Sequence, residues 1–195
     1  DHRDLHSFPT RRSSDLARKE ILFVGIDWQR KGGPTLLKAF EIVRKAFPDA
    51  KLTIVGCDPK VNQPGCKVVG KVSLNEVGHY YRGASVFCLP TTSEPLGIVF
   101  LEAMAYSLPV VATNIEAIPE FIHEGKNGYL VEPGDYKALA SAIIELVRSP
   151  ARCRDFGSYG HELYSKRYTW NGVGDRMFSS IHQCLDRTKP VFSEH

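Results

Sequence analysis

The sequence predicts an α/β fold in which a parallel β-sheet is sandwiched between helices. Two observations carry this prediction. Short, nearly continuous apolar runs recur along the chain and end at glycine or proline, which is typical of parallel strands buried on both faces. Between these runs lie segments whose apolar residues recur at helical spacing. The chain has 195 residues, which is enough for one domain with a substantial hydrophobic core.

The first strand, turn and helix lie near the N-terminus. Residues Ile21–Gly25 form an apolar run that ends at glycine, and a turn containing Lys31 and Gly32 follows. The next segment is predicted to be a helix because its apolar residues recur at helical spacing, at Leu36, Leu37, Phe40, Val43 and Phe47. A strand, a glycine-rich turn and a helix in this order form the place where Rossmann-like domains bind phosphates.

Two further strands and a helix complete the first half of the chain. The strands are predicted at Lys51–Gly56 and Val68–Val72. Ser73 and Glu76 fit a capping box, so a helix is predicted to start there. Tyr81 and the tyrosine before it could stack on the ring of a ligand, but aromatic residues on a helix face belong more often to the core.

The central stretch contains a strand at Ser85–Leu89, ended by Pro90, and a helix from Gly97 to Tyr106. The helix is apolar nearly all round, which predicts that it is buried within the domain. Its one ionisable side chain is Glu102, and a carboxylate in such surroundings needs a hydrogen-bonding or charged partner. Partnered buried charges are enriched at functional sites, so Glu102 is a candidate site residue.

A second carboxylate, Glu94, precedes this helix in a polar loop. The two glutamates are eight residues apart, so they lie at most roughly 12 Å apart along a helical path, on different faces. This separation is too large for a shared proton but suits the two ends of one extended ligand. The helix N-terminus between them offers free N–H groups and a positive dipole end to a phosphate. A sugar, a diphosphate and a ribose fit the site in that order.

The remaining elements continue the alternation of strands and helices. They are predicted, in order, as a strand at Pro109–Ala112, a short helix at Ile115–Glu124 closed by Gly125, a strand at Gly128–Val131, a helix capped by Asp135, and helices at Ala151–Lys166 and Trp170–Leu185. Residues 1–16 are polar and aperiodic, and we interpret them as a disordered or foreign leader. The predicted domain spans residues 17–185, and a tail follows at 186–195.

Composition limits the classes of partner. The net charge is only +3 and the basic residues are scattered, so nucleic acid is not a predicted partner. No apolar stretch reaches the roughly 20 residues of a membrane span, and no secretory leader is visible. These features predict a cytoplasmic protein, with peripheral association at the inner face of the membrane left open. The five cysteines include no C-x-x-C pair, so neither a disulfide framework nor a zinc site is predicted.

The central stretch and its surroundings resemble a known family. The segment EPLGIVFLEAMA at residues 94–105, followed by LPVVAT at 108–113, resembles the E-x7-E signature of the retaining GT-B glycosyltransferases, glycosyltransferase group 1 or family 4. Lys31 and Gly32 match a second element of the family, and GYLVEPGD at 128–135 matches a third. The resemblance covers about Ile21 to Leu185 and corresponds to the C-terminal, donor-binding half of a GT-B fold.

The resemblance implies a reaction and a set of site residues. The reaction is transfer of a sugar from a nucleotide-diphosphate sugar to an acceptor hydroxyl, with retention at the anomeric carbon and without a metal or cofactor. Glu94 and Lys31 are the implied catalytic residues. Lys31 stabilises the departing diphosphate, Glu94 holds sugar hydroxyls and Glu102 holds the ribose. The other implied donor-binding residues are Gly25, Arg30, Gly70, Lys71, Val72, Gly97, Ile98 and Val99.

The sequence departs from the family pattern at two places. Many members have arginine directly after the first glycine, where this chain has Ile26. Either Arg30 replaces that arginine, or one cation suffices beside the helix dipole. Where members commonly have two glycines bordering the donor sugar, this chain has Glu116 and Ala117, so we do not assign sugar contacts to that loop.

The N-terminal acceptor domain of GT-B enzymes has no counterpart in this sequence. We therefore interpret the chain as a fragment that binds the donor weakly and transfers nothing alone. Two alternatives remain open. One is a GT-B relative of the epimerase or phosphorylase type, and the other is a non-catalytic α/β binding module in which Glu102 is a structural carboxylate.

Overall fold

The computed structural model describes residues 18–174 together with Met177 and Phe178. The predicted leader, the predicted tail and most of the last predicted helix lie outside the described residues. The strands are β1 (Glu20–Val24), β2 (Lys51–Val55), β3 (Cys66–Gly70), β4 (Val86–Leu89), β5 (Val110–Thr113) and β6 (Gly128–Val131). The helices are α1 (Gly33–Ala46), α2 (Leu74–Gly83), α3 (Ile98–Ala105), α4 (Ile118–Phe121), α5 (Tyr136–Arg148) and α6 (Pro150–Arg167).

The strands form one six-stranded sheet in the order β3-β2-β1-β4-β5-β6. Every neighbouring pair is parallel, which confirms the predicted Rossmann-like α/β class. The order reverses between β1 and β4, and ligands of such sheets bind outside the carboxyl ends of the strands at this switch point. Five aligned residue pairs join β1 to β2, whereas two pairs, Ile21 with Val86 and Leu22 with Phe87, join β1 to β4.

Helices cover both faces of the sheet. α1 and α5 pack together over β4 on one face, while α2 packs against β1 and α3 against β5 and α6. The strands carry the core because β4 and β5 are buried at every residue. Phe87 of β4 makes ring contacts with Tyr81 of α2 and Phe100 of α3, and all three side chains are fully buried. Tyr81 is therefore a core residue, which the sequence favoured over stacking on a ligand.

Two elements, β3 and α4, differ from the prediction by more than one residue at a boundary. β3 ends at Gly70, two residues early, because Gly70 adopts a left-handed φ of 79° that turns the chain out of the strand. α4 is a single turn rather than the predicted Ile115–Glu124. Glu116 has a φ of 47° and Ile122 is extended, so helical conformation is interrupted on both sides of it. The capping box of Ser73 and Glu76 at the start of α2 is confirmed.

The prediction that α3 is buried within the domain is confirmed for one side of the helix only. Ile98 is 58% exposed, and Glu102 is only half-buried. The difference arises because the first turn of α3 lies at the open carboxyl edge of the sheet, while its other side packs on β5 and α6. In the described part of the chain, no helix is both long and apolar enough to cross a membrane.

Candidate active site

Lys31 and Glu94 meet at the switch point of the sheet. Lys31 follows β1 and Glu94 follows β4, so the parallel order of these neighbouring strands brings both residues to one edge. Lys31 Nζ donates a hydrogen bond to Glu94 Oε2, and the two residues are 9% and 7% exposed. A buried ion pair of this kind is stable only when its geometry compensates for the loss of water. The structure therefore joins two residues that the sequence assigned to different parts of a ligand.

The turn before α1 fixes the position of Lys31. Its amide donates to Asp27 O at 2.9 Å, and the amide of Gly33 donates to Trp28 O at 2.9 Å. A Cβ on Gly25 would lie 3.1 Å from Lys31 Cγ, so the glycine leaves room for the lysine stem. Gly32 has a φ of 76°, and a Cβ there would lie only 1.8 Å from the carbonyl oxygen at the end of β4. The turn thus lies directly against the chain that leads to Glu94.

Buried hydroxyl groups hold the Glu94 loop. Thr91 Oγ1 lies 3.1 Å from Arg30 O and 2.9 Å from Ser93 O, and Thr113 Oγ1 donates to Thr91 O at 2.6 Å. Glu94 Oε1 accepts from the amide of Gly97 at 3.3 Å, so both carboxylate oxygens have protein partners. Thr91 and Thr113 are completely buried, and neither was predicted from the sequence to belong to the site. Their position at the carboxyl ends of two adjacent strands is the signal that could have identified them.

Arg30 lies at the same edge but on the surface. Its Nη1 donates to Ser93 O at 2.9 Å, and its Nε lies 3.4 Å from Asp27 Oδ2. Ile26, at the position where the family commonly has arginine, is 78% exposed. Arg30 therefore contacts the Glu94 loop. That it takes the role of the arginine absent at Ile26 stays a prediction.

Glu102 has the partner that its position called for. Tyr81 Oη donates to Glu102 Oε2 at 2.8 Å. Burial raises the pKa of Tyr81 well above its usual value, and the neighbouring Glu102 carboxylate raises this pKa further. The phenol therefore keeps its proton and remains a donor to Glu102.

The N-terminus of α3 lies between Glu94 and Glu102 in the chain. Gly97 caps it with a φ of 64°, and a Cβ there would lie 2.7 Å from the Phe121 ring. Gly97, which the family resemblance implies as a donor-binding residue, is thus also required by packing within the domain. The first N–H groups of the helix, at Ile98 and Val99, have no acceptor within the helix.

Gly70, one of the implied donor-binding residues, is the last residue of β3, and two others, Lys71 and Val72, follow it. Gly70 O accepts from the amide of Gly56, and Lys71 is exposed. Because β3 lies two strands away from β1, the structure does not bring this segment to the Lys31–Glu94 pair. It lies at the same carboxyl edge, farther along the sheet.

Glu116 belongs to the candidate site by its contacts, although it was not predicted from the sequence. Its Oε2 accepts from the amide of Glu94 at 2.6 Å, and its Oε1 accepts from Ser93 Oγ at 3.2 Å. The signal available in the sequence was a carboxylate in the loop after the next strand, β5, at the same edge. Among the residues that the structure describes, no three His, Cys, Asp or Glu side chains are grouped to hold a metal ion.

The chain is similar to proteins of one enzyme family. Residues 18–149 match the family model described as glycosyl transferases group 1. A phosphatidyl-myo-inositol mannosyltransferase of Mycobacterium leprae is 34% identical over 169 residues, which cover 82% of this chain and 45% of that protein. The chain spans about half the length of the curated relatives it matches.

Solved structures share the fold. S. aureus TarM has a TM-score of 0.79 at 21% identity, over 90% of this chain and 37% of that chain. The C-terminal domain of LpcC, a glycosyl transferase group 1 protein of Francisella tularensis, has a TM-score of 0.71 at 23% identity, over 83% of this chain and 95% of that domain. The fold is therefore that of a C-terminal GT-B domain, and the family model spans most of the chain. The chain belongs to the group 1 family of glycosyltransferases.

Proposed function

We propose that this chain is the donor-binding domain, residues 17–185, of a retaining, metal-independent glycosyltransferase. The enzyme moves a sugar from a nucleotide-diphosphate sugar to an acceptor hydroxyl. The observation that carries the proposal is the buried Lys31–Glu94 pair at the switch point of the sheet, beside the N-terminus of α3. A fixed cation and a helix N-terminus at one edge suit a diphosphate.

The charges of this site fit the departure of a nucleoside diphosphate. Negative charge grows on the diphosphate as the bond to the sugar breaks, and Lys31 Nζ with the N–H groups of Ile98 and Val99 would stabilise it. In the structure, Lys31 is paired with Glu94. When the donor binds, its diphosphate would replace Glu94 as the main partner of the lysine. The carboxylate of Glu94 then accepts hydrogen bonds from hydroxyls of the transferred sugar.

Glu102 serves the other end of the donor. Tyr81 holds its carboxylate through Oε2, and Oε1 would accept hydrogen bonds from ribose hydroxyls. A carboxylate accepts from two hydroxyls better than a neutral amide does, because hydrogen bonds to charged groups are stronger. Replacing Glu102 with Gln should therefore weaken donor binding without removing the Tyr81 contact.

Relatives support a nucleotide-sugar donor. The TarM structure contains UDP, and HepE of Anabaena was solved with UDP-glucose. The Mycobacterium leprae relative is a mannosyltransferase. For the protein to which this chain belongs, we propose an acceptor site in the remaining half, a cytoplasmic location and peripheral contact with the inner face of the membrane. We propose no cofactor, and no transfer activity for this chain alone.

A structural interpretation competes with this proposal. Lys31 and the amide of Gly97 occupy both oxygens of Glu94, and a pair that only fastens two loops together would show the same contacts. In a non-catalytic module of this kind, no nucleotide sugar would bind.

The test is calorimetric titration of the whole chain, in buffer containing EDTA, with UDP-, GDP- and ADP-sugars. We expect saturable binding of one base class, and weaker binding after Lys31→Met or Glu102→Gln. Lys45→Met is the matched control, because Lys45 is exposed near the C-terminal end of α1, at the opposite edge of the sheet. A folded parent chain that binds none of the three donors would refute the proposal. Substantial transfer by the chain alone would refute the division into donor and acceptor halves.

A further inference from the structure

We propose that Glu116 is a positioning residue that directs Glu94 toward the transferred sugar. Glu116 would thereby set how strongly the site distinguishes a nucleotide sugar from the nucleoside diphosphate alone. This inference rests on the proposed function and deepens it. It concerns a residue that stands where family resemblance would expect glycine.

The contacts of Glu116 converge on the loop that carries Glu94. One carboxylate oxygen accepts from the amide of Glu94 at 2.6 Å, and the other accepts from the hydroxyl of Ser93 at 3.2 Å. Hydrogen bonds to an ionised carboxylate are stronger than those between neutral groups. Two consecutive loop residues are thus tied to a single side chain in the loop after β5.

The backbone of Glu116 adopts a conformation that side chains rarely take. Its φ is 47°, in the left-handed region that favours glycine. Such outliers persist only where the surrounding structure holds them, and they cluster at functional sites. Here the two hydrogen bonds to the Glu94 loop offset the strain. A carboxylate at this position therefore provides an anchor that glycine could not provide.

The anchor acts on the main chain of Glu94, whereas Lys31 acts on its side chain. When a diphosphate takes Lys31 as its partner, the side chain of Glu94 loses one of its two contacts. The contact from Glu116 does not involve Lys31, so it persists through this exchange. Glu116 then keeps the start of the Glu94 side chain in place while the carboxylate turns to the sugar.

This division of roles predicts a selective effect. Loss of the anchor should disturb contacts between Glu94 and the sugar, while the contacts of the diphosphate with Lys31 and with α3 stay intact. The ratio of the Kd for the nucleoside diphosphate to the Kd for its nucleotide sugar reports this difference, and a purely structural loss would weaken both ligands alike.

The experiment measures that ratio by calorimetry for the whole chain, with the base that the parent prefers. The variants are Glu116→Gly and Glu116→Gln, and the control is Ser107→Gly. Glycine fits the φ of 47°, so Glu116→Gly should fold, and glutamine keeps an oxygen that can accept from the Glu94 amide. Ser107 also has a positive φ, of 54°, but follows the C-terminal end of α3, away from the site.

We expect Glu116→Gly to lower the ratio about tenfold, equivalent to about 1.4 kcal/mol. The Kd for the diphosphate should stay within about twofold, a change worth under about 0.5 kcal/mol. Glu116→Gln should restore most of the ratio, and Ser107→Gly should match the parent. An unchanged ratio in Glu116→Gly, or equal weakening of both ligands, would overturn the role of Glu116 while leaving donor binding established. A parent chain that binds no nucleotide would overturn the proposed function and this role together.

Discussion

The buried pair of Lys31 and Glu94 should contribute a coupling energy to folding that a surface pair does not. Its side chains are 11% and 9% exposed, so solvent screens them little. We therefore expect Lys31→Met and Glu94→Gln each to lower the free energy of unfolding by about 3 kcal/mol, because each change leaves the other group buried without its partner. The double variant leaves no charge uncompensated, so its cost should fall short of the sum by about 2 kcal/mol.

Urea denaturation of the parent, both single variants and the double variant measures this coupling. Thermal denaturation gives a second estimate, since about 3 kcal/mol corresponds to a fall in Tm of roughly 6–12 °C for a domain of this size. Glu41 and Lys45 form the matched control pair on the surface of α1, where the side chains are 66% and 75% exposed. That cycle should give a coupling below about 0.5 kcal/mol. Additive effects of Lys31→Met and Glu94→Gln, within about 0.5 kcal/mol, would refute the argument from burial.

Two more predictions concern the fold around the site. Gly32→Ala should destabilise the chain far more than Gly70→Ala, although both glycines have a φ near 80°, because a Cβ on Gly32 would lie 1.8 Å from Pro90 O while none would meet Gly70 within 4 Å. We expect about 1 kcal/mol for Gly70→Ala and at least about 3 kcal/mol for Gly32→Ala, and equal losses of Tm would contradict this. Tyr81 has a raised pKa in the folded state, so its contribution to stability is complete below about pH 10 and is lost as the pH rises above that value. The unfolding free energy of Tyr81→Phe should therefore fall less steeply with alkaline pH than that of the parent, and parallel urea-denaturation profiles would show that reasoning to be wrong.

Much of the fold could be predicted from the sequence because strand and helix periodicities are local. The apolar runs at Ile21–Gly25 and Ser85–Leu89 became β1 and β4, with an error of one residue at both boundaries of β1 and at the first boundary of β4. Errors arose where a single backbone angle decides the outcome. The left-handed φ of Gly70 ended β3 early, and that of Glu116 confined α4 to one turn.

The site was predictable in its residue types but not in its contacts. The sequence indicated Lys31 and Glu94 separately, and it implied one role at the diphosphate and another at the sugar. Their direct contact depends on β1 lying beside β4, which is a property of the strand order. The role of Glu116 depends on β4 lying beside β5, and neither neighbour relation is encoded in a local pattern. Glu102 was predicted to need a partner, and only the packing of α2 against β1 and β4 shows that the partner is Tyr81.

The junction between β1 and β4 also has a mechanical consequence. Two aligned residue pairs join these strands, fewer than join any other neighbouring strands of this sheet. Lys31 follows β1, on one side of this junction, and Glu94 follows β4, on the other. A ligand that contacts both residues would therefore link the two halves of the sheet, β3-β2-β1 and β4-β5-β6. Occupancy of the site would then resist separation of the two halves, since a ligand that binds only the native state stabilises it.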